Sequence, residues 1–318
     1  MRVILATIML AAIGYGAYWH YAARELDSRI SATLAHNDTL TASDYSLGGF
    51  PHRFDLTLHA PRLRLADGEI DWQGEALNLH ALSYKPHHVI AVFPPVQILG
   101  LYGQDWHLRS ADARASVVAR SGVSGAVDRA NLVFATPQFS HRTITHEADS
   151  LRASLTHFTG AQYELALDLS GLRPDAGLLA GLDPDRMLPP MLARSRVLAM
   201  LDFASPLHLN AGLPPLREID IDELEIIWGD ITLQASGVLR PDVGGTLSGQ
   251  LDMRMTQWET VVSLLVSTGV IPPDGAQMAR MIFASLSDQS TGQLALPLQV
   301  RQSVLSLGPV VLGQLPRF

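Results

Sequence analysis

Twelve histidines, 31 acidic side chains, 22 arginines and one lysine are available for chemistry in this chain, and no cysteine. Asp220 and Asp222 share a parity, so on a strand they would sit about 7 Å apart on one face. Paired carboxylates can serve acid–base or metal chemistry. Ile219 and Ile221 claim the inner face of the same segment, and a solvated outer face explains the aspartates more simply. His87-His88 is the tightest histidine pair, but adjacent strand residues point to opposite faces and share a metal poorly. Gly122-Val123-Ser124-Gly125-Ala126 approaches a nucleophile elbow without its second glycine, so Ser124 reads as part of a turn. Lys85 lies in Tyr84-Lys85-Pro86, outside any phosphate-binding loop, and nothing local supports it as a Schiff-base lysine. Tyr45, His52 and Arg53 flank a Gly-Gly-Phe-Pro turn and read as structural punctuation. No catalytic, cofactor-binding or metal-ligating residue is assigned, and no cofactor is expected.

The elements that would position these residues begin with an apolar segment. Val3–Ala23 carries no Asp, Glu, Lys or Arg, and at about 1.5 Å per residue it reaches about 30 Å, a hydrocarbon core's thickness. Tyr15, Tyr18, Trp19 and Tyr21 cluster at its far end, where amphipathic rings favour the headgroup layer. This predicts an uncleaved single-pass anchor. A cleaved signal peptide and a buried soluble helix are the rivals; the aromatic cluster occupies the place where a small-residue cleavage site should fall. The basic bias favours the N-terminus inside, which puts the bulk of the chain outside the cytoplasm. The expected organisation is an inner-membrane anchor over 1–23, a helical stalk over 24–39 and a β-rich periplasmic domain over 40–318.

Composition agrees with a large β body. The chain has 318 residues, 47% hydrophobic and 17% charged, with net charge −8. It is too apolar for disorder, and without a basic domain it is not expected to bind nucleic acid. The absence of cysteine excludes disulfide frameworks and thiolate metal sites.

After Tyr45 the apolar period is two. Phe54, Leu56 and Leu58 alternate with polar residues, as do Tyr163, Leu165, Leu167 and Leu169, then Val197, Ala199, Leu201 and Phe203, and finally Leu294, Leu296, Leu298 and Val300. Such alternation marks antiparallel strands with one buried face. Ala66-Asp67-Gly68 and the Pro241–Gly245 segment read as turns. Trp72, Trp106 and Trp228 each precede a short alternation, a hint of repeated β units.

Three short helices are expected. Thr256-Gln257-Trp258-Glu259 reads as a capping box, with Gly269 as a left-handed stop. Pro272-Pro273-Asp274 opens a second helix carrying Met278, Met281, Ile282 and Leu286, and Asp183-Pro184 starts a third. Three such helices cannot roof a dozen strands. Either the sheet closes on itself, or part of its apolar face stays open to a lipid, another apolar ligand or a partner.

Gly49-Phe50-Pro51-His52-Arg53-Phe54, after an N-terminal apolar segment, resembles the opening of the bacterial "domain of unknown function 2125" family. The tail is similar too, from Leu294-Ala295-Leu296-Pro297-Leu298 through Leu305-Ser306-Leu307-Gly308-Pro309 to Pro316. The resemblance implies a Gram-negative envelope protein and carries no catalytic residue. Leu247-Ser248-Gly249-Gln250-Leu251, followed by a helix and the Leu-x-Leu tail, also resembles inner-membrane-anchored lipid-transport proteins of the AsmA type. The expectation is a noncatalytic envelope protein that binds an apolar ligand or an envelope partner. An assembly scaffold and a carboxylate- or histidine-dependent hydrolase are the alternatives.

Overall fold

The computed structural model describes residues 2–36, 39–65, 69–101, 103–120, 125–209, 211–288, 290–307 and 310–316. Ser124, the Ala66-Asp67-Gly68 turn and the Gly308-Pro309 pair lie outside these.

Helix α1 (Arg2–His36) runs without a break through the expected anchor and stalk. Then come β1 (Leu40–Thr41), β2 (Asp44–Gly48) and β3 (Arg53–His59). From β3 onward the chain runs in long strands that bend midway. β3 turns at Ala60-Pro61 into β4 (Arg62–Leu65), and β5 (Ile70–Gly74) returns into β6 (Ala76–Leu82). The same excursion follows through β7 (Lys85–Val92), β8 (Val96–Leu101), β9 (Gln104–Arg109) and β10 (Asp112–Ala119). It repeats in β11 (Val127–Ala135), β12 (Gln138–His141), β13 (Ile144–Glu147) and β14 (Ser150–Thr159). Proline marks the bends: Pro61, Pro94-Pro95 and Pro137 each stand where the strand changes direction. Hydrogen bonds such as Ala60 N–H to Glu75 O and Thr136 N–H to Asp149 O cross the crease, so pairing continues around it.

The remaining strands do not bend. They are β15 (Gln162–Leu172), β16 (Leu192–Phe203), β17 (Leu216–Trp228), β18 (Ile231–Pro241) and β19 (Leu247–Met255), with β20 (Leu294–Arg301), β21 (Val304–Leu307) and β22 (Val310–Gln314) closing the order. Helix α2 (Ala176–Leu182) precedes β16, and α3 (Trp258–Ser267) and α4 (Ala276–Leu286) lie between β19 and β20. Two antiparallel sheets result, one of 15 strands and one of 7 formed by the bent tips. Among the described residues the fold is mainly β with large antiparallel sheets and four α-helices, α1 being the long one. Of the three tryptophans that hint at repeated units, Trp72 and Trp106 sit in the short sheet, each paired with Leu99 of β8, while Trp228 lies at the β17–β18 hairpin of the long sheet, outside the bent-strand excursions.

Three sequence expectations need correction. The first concerns the transmembrane helix. α1 forms, yet among the described residues no helix is long and apolar enough to cross a membrane. The aromatic half of the run also packs on the protein itself: Trp19 is buried against Phe54, and Tyr15 and Tyr18 hydrogen-bond to Ser83. The second concerns the capping box. Gln257 is the N-cap, in a left-handed conformation with no side-chain cap bond. The Thr256 hydroxyl instead donates to Asp230 O and accepts from Thr232 N–H, binding the β17–β18 turn. The third concerns Asp183, which does not start a helix; it ends α2, whose N-cap is Asp175. The buried Asp183 carboxylate accepts from Met187 and Leu188 N–H at 2.8 and 2.6 Å, fastening the exposed turn that follows. Gly269 does adopt the left-handed stop, at φ +76°.

Candidate functional site

The cross-strand register assembles one apolar row. Leu47, Leu56, Leu79, Ala91, Ala115, Leu132, Ala153, Leu167, Val197, Leu224, Ala235, Met253 and Leu296 are successive partners from β2 to β20. Strand side chains alternate between faces, so all thirteen share one face of the long sheet. A bulge in β17 keeps the row intact. Pairing shifts between Ile221 and Leu224, so Leu224 follows Ile219 and Ile221 onto the inner side despite its opposite parity. Asp220 and Asp222 are left exposed.

This face is covered at its borders. At the first edge α1 lies on it: Trp19 and Ala23 bury against Phe54, with Leu26 and Leu47 alongside. At the far side α3 and α4 cover β18–β20, where Leu294, Leu296, Leu298 and Val300 are at most 4% exposed. Along the crease the short sheet folds over, and Leu108 packs on Ala113 and Phe134. At the opposite strand ends Tyr163, Phe203 and Leu207 form a plug, with the Tyr163 hydroxyl donating to Val127 O and accepting from Leu207 N–H.

Between these borders lies the floor. Leu79, Ala91, Ala115, Ala153, Leu165 and Leu167 are half-buried and, among the described residues, belong to none of the four buried clusters. From β6 to β15 the floor is six strands wide, or about 24 Å at ~4.8 Å per strand step. Ala91 and Ala115 are direct partners and Ala153 lies between Leu132 and Leu167, so small residues lower its middle. The reverse face is polar. Arg152, Asp168, Arg196 and Glu225 are successive partners there, and Arg194 pairs with Asp168 at 2.6 Å.

The Gly-Gly-Phe-Pro turn seats α1. Gly49 is at φ +97°, and a Cβ there would lie 2.7 Å from Arg53 O, so only glycine fits. Arg53 O accepts from Trp19 Nε1 at 2.8 Å. Phe50 stacks on His20 and meets Trp19 edge-on, with centroids 5.4 and 5.2 Å apart. Ser83, fully buried, holds the neighbouring hairpin. Its hydroxyl bonds the Tyr15 hydroxyl at 2.7 Å and Pro51 O at 3.1 Å, and its carbonyl accepts from Tyr18. Tyr45 donates to Asp27 of α1 at 2.8 Å; this bond to the carboxylate raises the phenol's pKa.

The other sequence candidates do not converge. His87 and His88 occupy adjacent positions on β7, with His88 opposite Val118. Lys85 is exposed at the β6–β7 hairpin. Among the described residues no group of three His, Asp or Glu side chains could hold a metal ion. A cavity of about 470 Å³ at the crease is lined by Arg109, Glu147, Asp149 and Arg173, but Arg173 pairs with Asp149 at 2.8 Å. On the short sheet Asp71 lies against Arg62 and Arg64, and the Arg62 guanidinium holds its carboxyl below the usual carboxylate range. Trp106 lies near His141 and His146 of the β12–β13 hairpin, with centroids 5.3 and 6.0 Å away. Sequence reading missed the continuous floor. No single strand displays it; pairing order and bulges create it.

The fold thus defines a class: a bent antiparallel sheet with one apolar face, roofed only at its margins. The chain belongs to the family described as an uncharacterized protein conserved in bacteria, DUF2125, which matches residues 19–316. The matched region takes in Trp19, the Gly-Phe-Pro turn and the whole floor. No curated protein and no solved structure matches the chain.

Proposed function

We propose that this chain is a noncatalytic protein of the bacterial envelope, held at the inner membrane through α1 with its β body on the periplasmic side, and that the floor of the long sheet carries a lipid acyl chain or a similar apolar ligand. The observation behind this reading is the half-buried apolar row from Leu79 to Leu167, of which only Leu132 packs on a buried cluster, bordered by α1, the short sheet, the Tyr163 plug and the α3–α4 pair. A half-wet apolar surface of this extent costs about 25 cal/mol for each Å² left in water, and a hydrocarbon chain would remove that cost. The likeness to AsmA-type lipid-transport proteins belongs to the same proposal.

Solvent extraction of the natively purified full chain, followed by mass spectrometry, tests it. Lipid should be recovered in stoichiometric amount, and Leu167→Arg should lose it while keeping the wild-type circular dichroism spectrum. Recovery no greater than from a control protein of similar size defeats the proposal.

One observation favours a second reading, an assembly scaffold. Met278, Met281, Ile282 and Leu286 are 48–63% exposed on α4, whose buried side is Ala276 and Phe283. Under that reading the stripe docks an envelope partner. Met281→Glu should then abolish partner capture and leave lipid recovery unchanged.

A further inference from the structure

Where α1 meets the sheet, four large rings point outward. Phe50, Tyr84, Tyr18 and Tyr21 are 56, 62, 46 and 73% exposed. Their supports are firm. Phe50 rests on Trp19 and His20, and Tyr84 follows Ser83, the residue that binds both Tyr15 and Tyr18. Lys85, the one lysine of the chain, is exposed beside Tyr84. Rings with one side on protein and a polar or apolar edge turned outward favour the layer between water and hydrocarbon.

The helix beyond these rings points to the same level. Met9, Leu10 and Ile13 are 58, 71 and 63% exposed, and a Cβ added at Gly14 would meet nothing. Among the described side chains of α1, the buried and half-buried face runs from Tyr15 through Trp19, Ala22, Ala23 and Leu26. The stretch Val3–Gly14 that precedes this face rises only about 18 Å, short of a hydrocarbon core of about 30 Å. If that stretch enters a bilayer, the foot of the sheet must come down to the headgroups with it. A body hanging at a distance on a free stalk is excluded by the docking of Tyr15, Tyr18 and Trp19.

We propose that Phe50, Tyr84, Tyr18 and Tyr21 form a membrane-seating collar, by which the β body rests directly on a phospholipid bilayer with Lys85 facing the lipid phosphates. This rests on the membrane attachment proposed above and adds its depth and orientation: the Gly-Phe-Pro turn and the β6–β7 hairpin face the lipid. Phe50 thereby serves twice, with one edge against Trp19 and the other in the interface.

The absence of cysteine makes the test clean. Full-length Phe50→Cys, Tyr84→Cys and Val243→Cys variants, each carrying one NBD fluorophore, are reconstituted into vesicles of phosphatidylethanolamine and phosphatidylglycerol. Val243, in the fully exposed β18–β19 turn, is the reference. Labels at 50 and 84 should shift to the blue and be quenched several-fold more by nitroxide-bearing lipids than the label at 243. Labels at 50 and 84 that match position 243, on a chain that still floats with the vesicles, overturn the collar and leave the attachment standing. A blue shift without lipid quenching means that a second copy covers the rings, and it too overturns the collar. A chain that does not float with the vesicles at all overturns the attachment and the collar together.

Discussion

The two halves of the long sheet carry the same alternation and meet different fates. On β19 and β20 every second residue is buried, because α3 and α4 press Trp258, Val262 and Phe283 onto Met253, Met255 and Leu294. On β14 and β15 the equivalent leucines remain half-buried, because no helix lies over them. The lesson is that an apolar face is a requirement for cover and does not itself supply it. Where the chain supplies its own helices the face becomes core; where it does not, the face stays half-buried.

Four substitutions sharpen or break that contrast, in descending size of effect. Phe283→Ala removes the ring that meets Trp258 at 6.2 Å under the helical cover, and should cost about 3–5 kcal/mol in urea unfolding. A loss below about 1 kcal/mol would mean that the cover is not tightly packed. Trp19→Ala should cost about 3 kcal/mol, since it removes a buried ring and the bond to Arg53 O. Hydrogen exchange should then rise across residues 15–36, and unchanged protection there would show that α1 is held by other contacts. Leu167→Ala, on the floor, should cost only about 1 kcal/mol in the ligand-free chain, because Leu167 is only half-buried and belongs to none of the buried clusters. A cost equal to that of Phe283→Ala would show that the floor is closed.

The smallest effect concerns acid. Arg62 depresses the Asp71 carboxyl below its unfolded value of about 3.9. The stabilisation is therefore complete above that pH and is lost as pH falls through the depressed folded value. Asp71→Asn should flatten the acid limb of the thermal-unfolding profile and leave the neutral limb's slope unchanged. An unaltered acid limb would mean that the Arg62–Asp71 pair adds nothing to stability.

Much of the architecture was legible because strand periodicity is local. The alternations at Phe54–Leu58, Tyr163–Leu169, Val197–Phe203 and Leu294–Val300 each declare a strand with one apolar face, and all four form. The helix after Pro272-Pro273 was legible for the same reason, but its buried side was not. Met278, Met281 and Ile282 repeat at helical spacing, yet packing chose Ala276 and Phe283, which fit against α3 and the sheet. Thr256 likewise reads as a cap, and the tertiary structure uses its hydroxyl to fasten a turn. The Gly-Phe-Pro turn announced tight geometry through Gly49, while its role as a seat for Trp19 depends on a residue thirty positions earlier.

The sequence by itself determined that this chain is mainly antiparallel β, that it opens with an apolar helix ending in aromatic rings, and that it lacks the local motifs of the common catalysts. These are properties of neighbouring residues, set by sterics and by the period of side-chain direction. Only the tertiary structure decided that the strands bend at prolines into two sheets, that thirteen side chains from separate strands line one row, and that helices cover its margins and leave the middle half-buried. Those outcomes depend on pairing order and register between segments far apart in the chain, which no local pattern encodes.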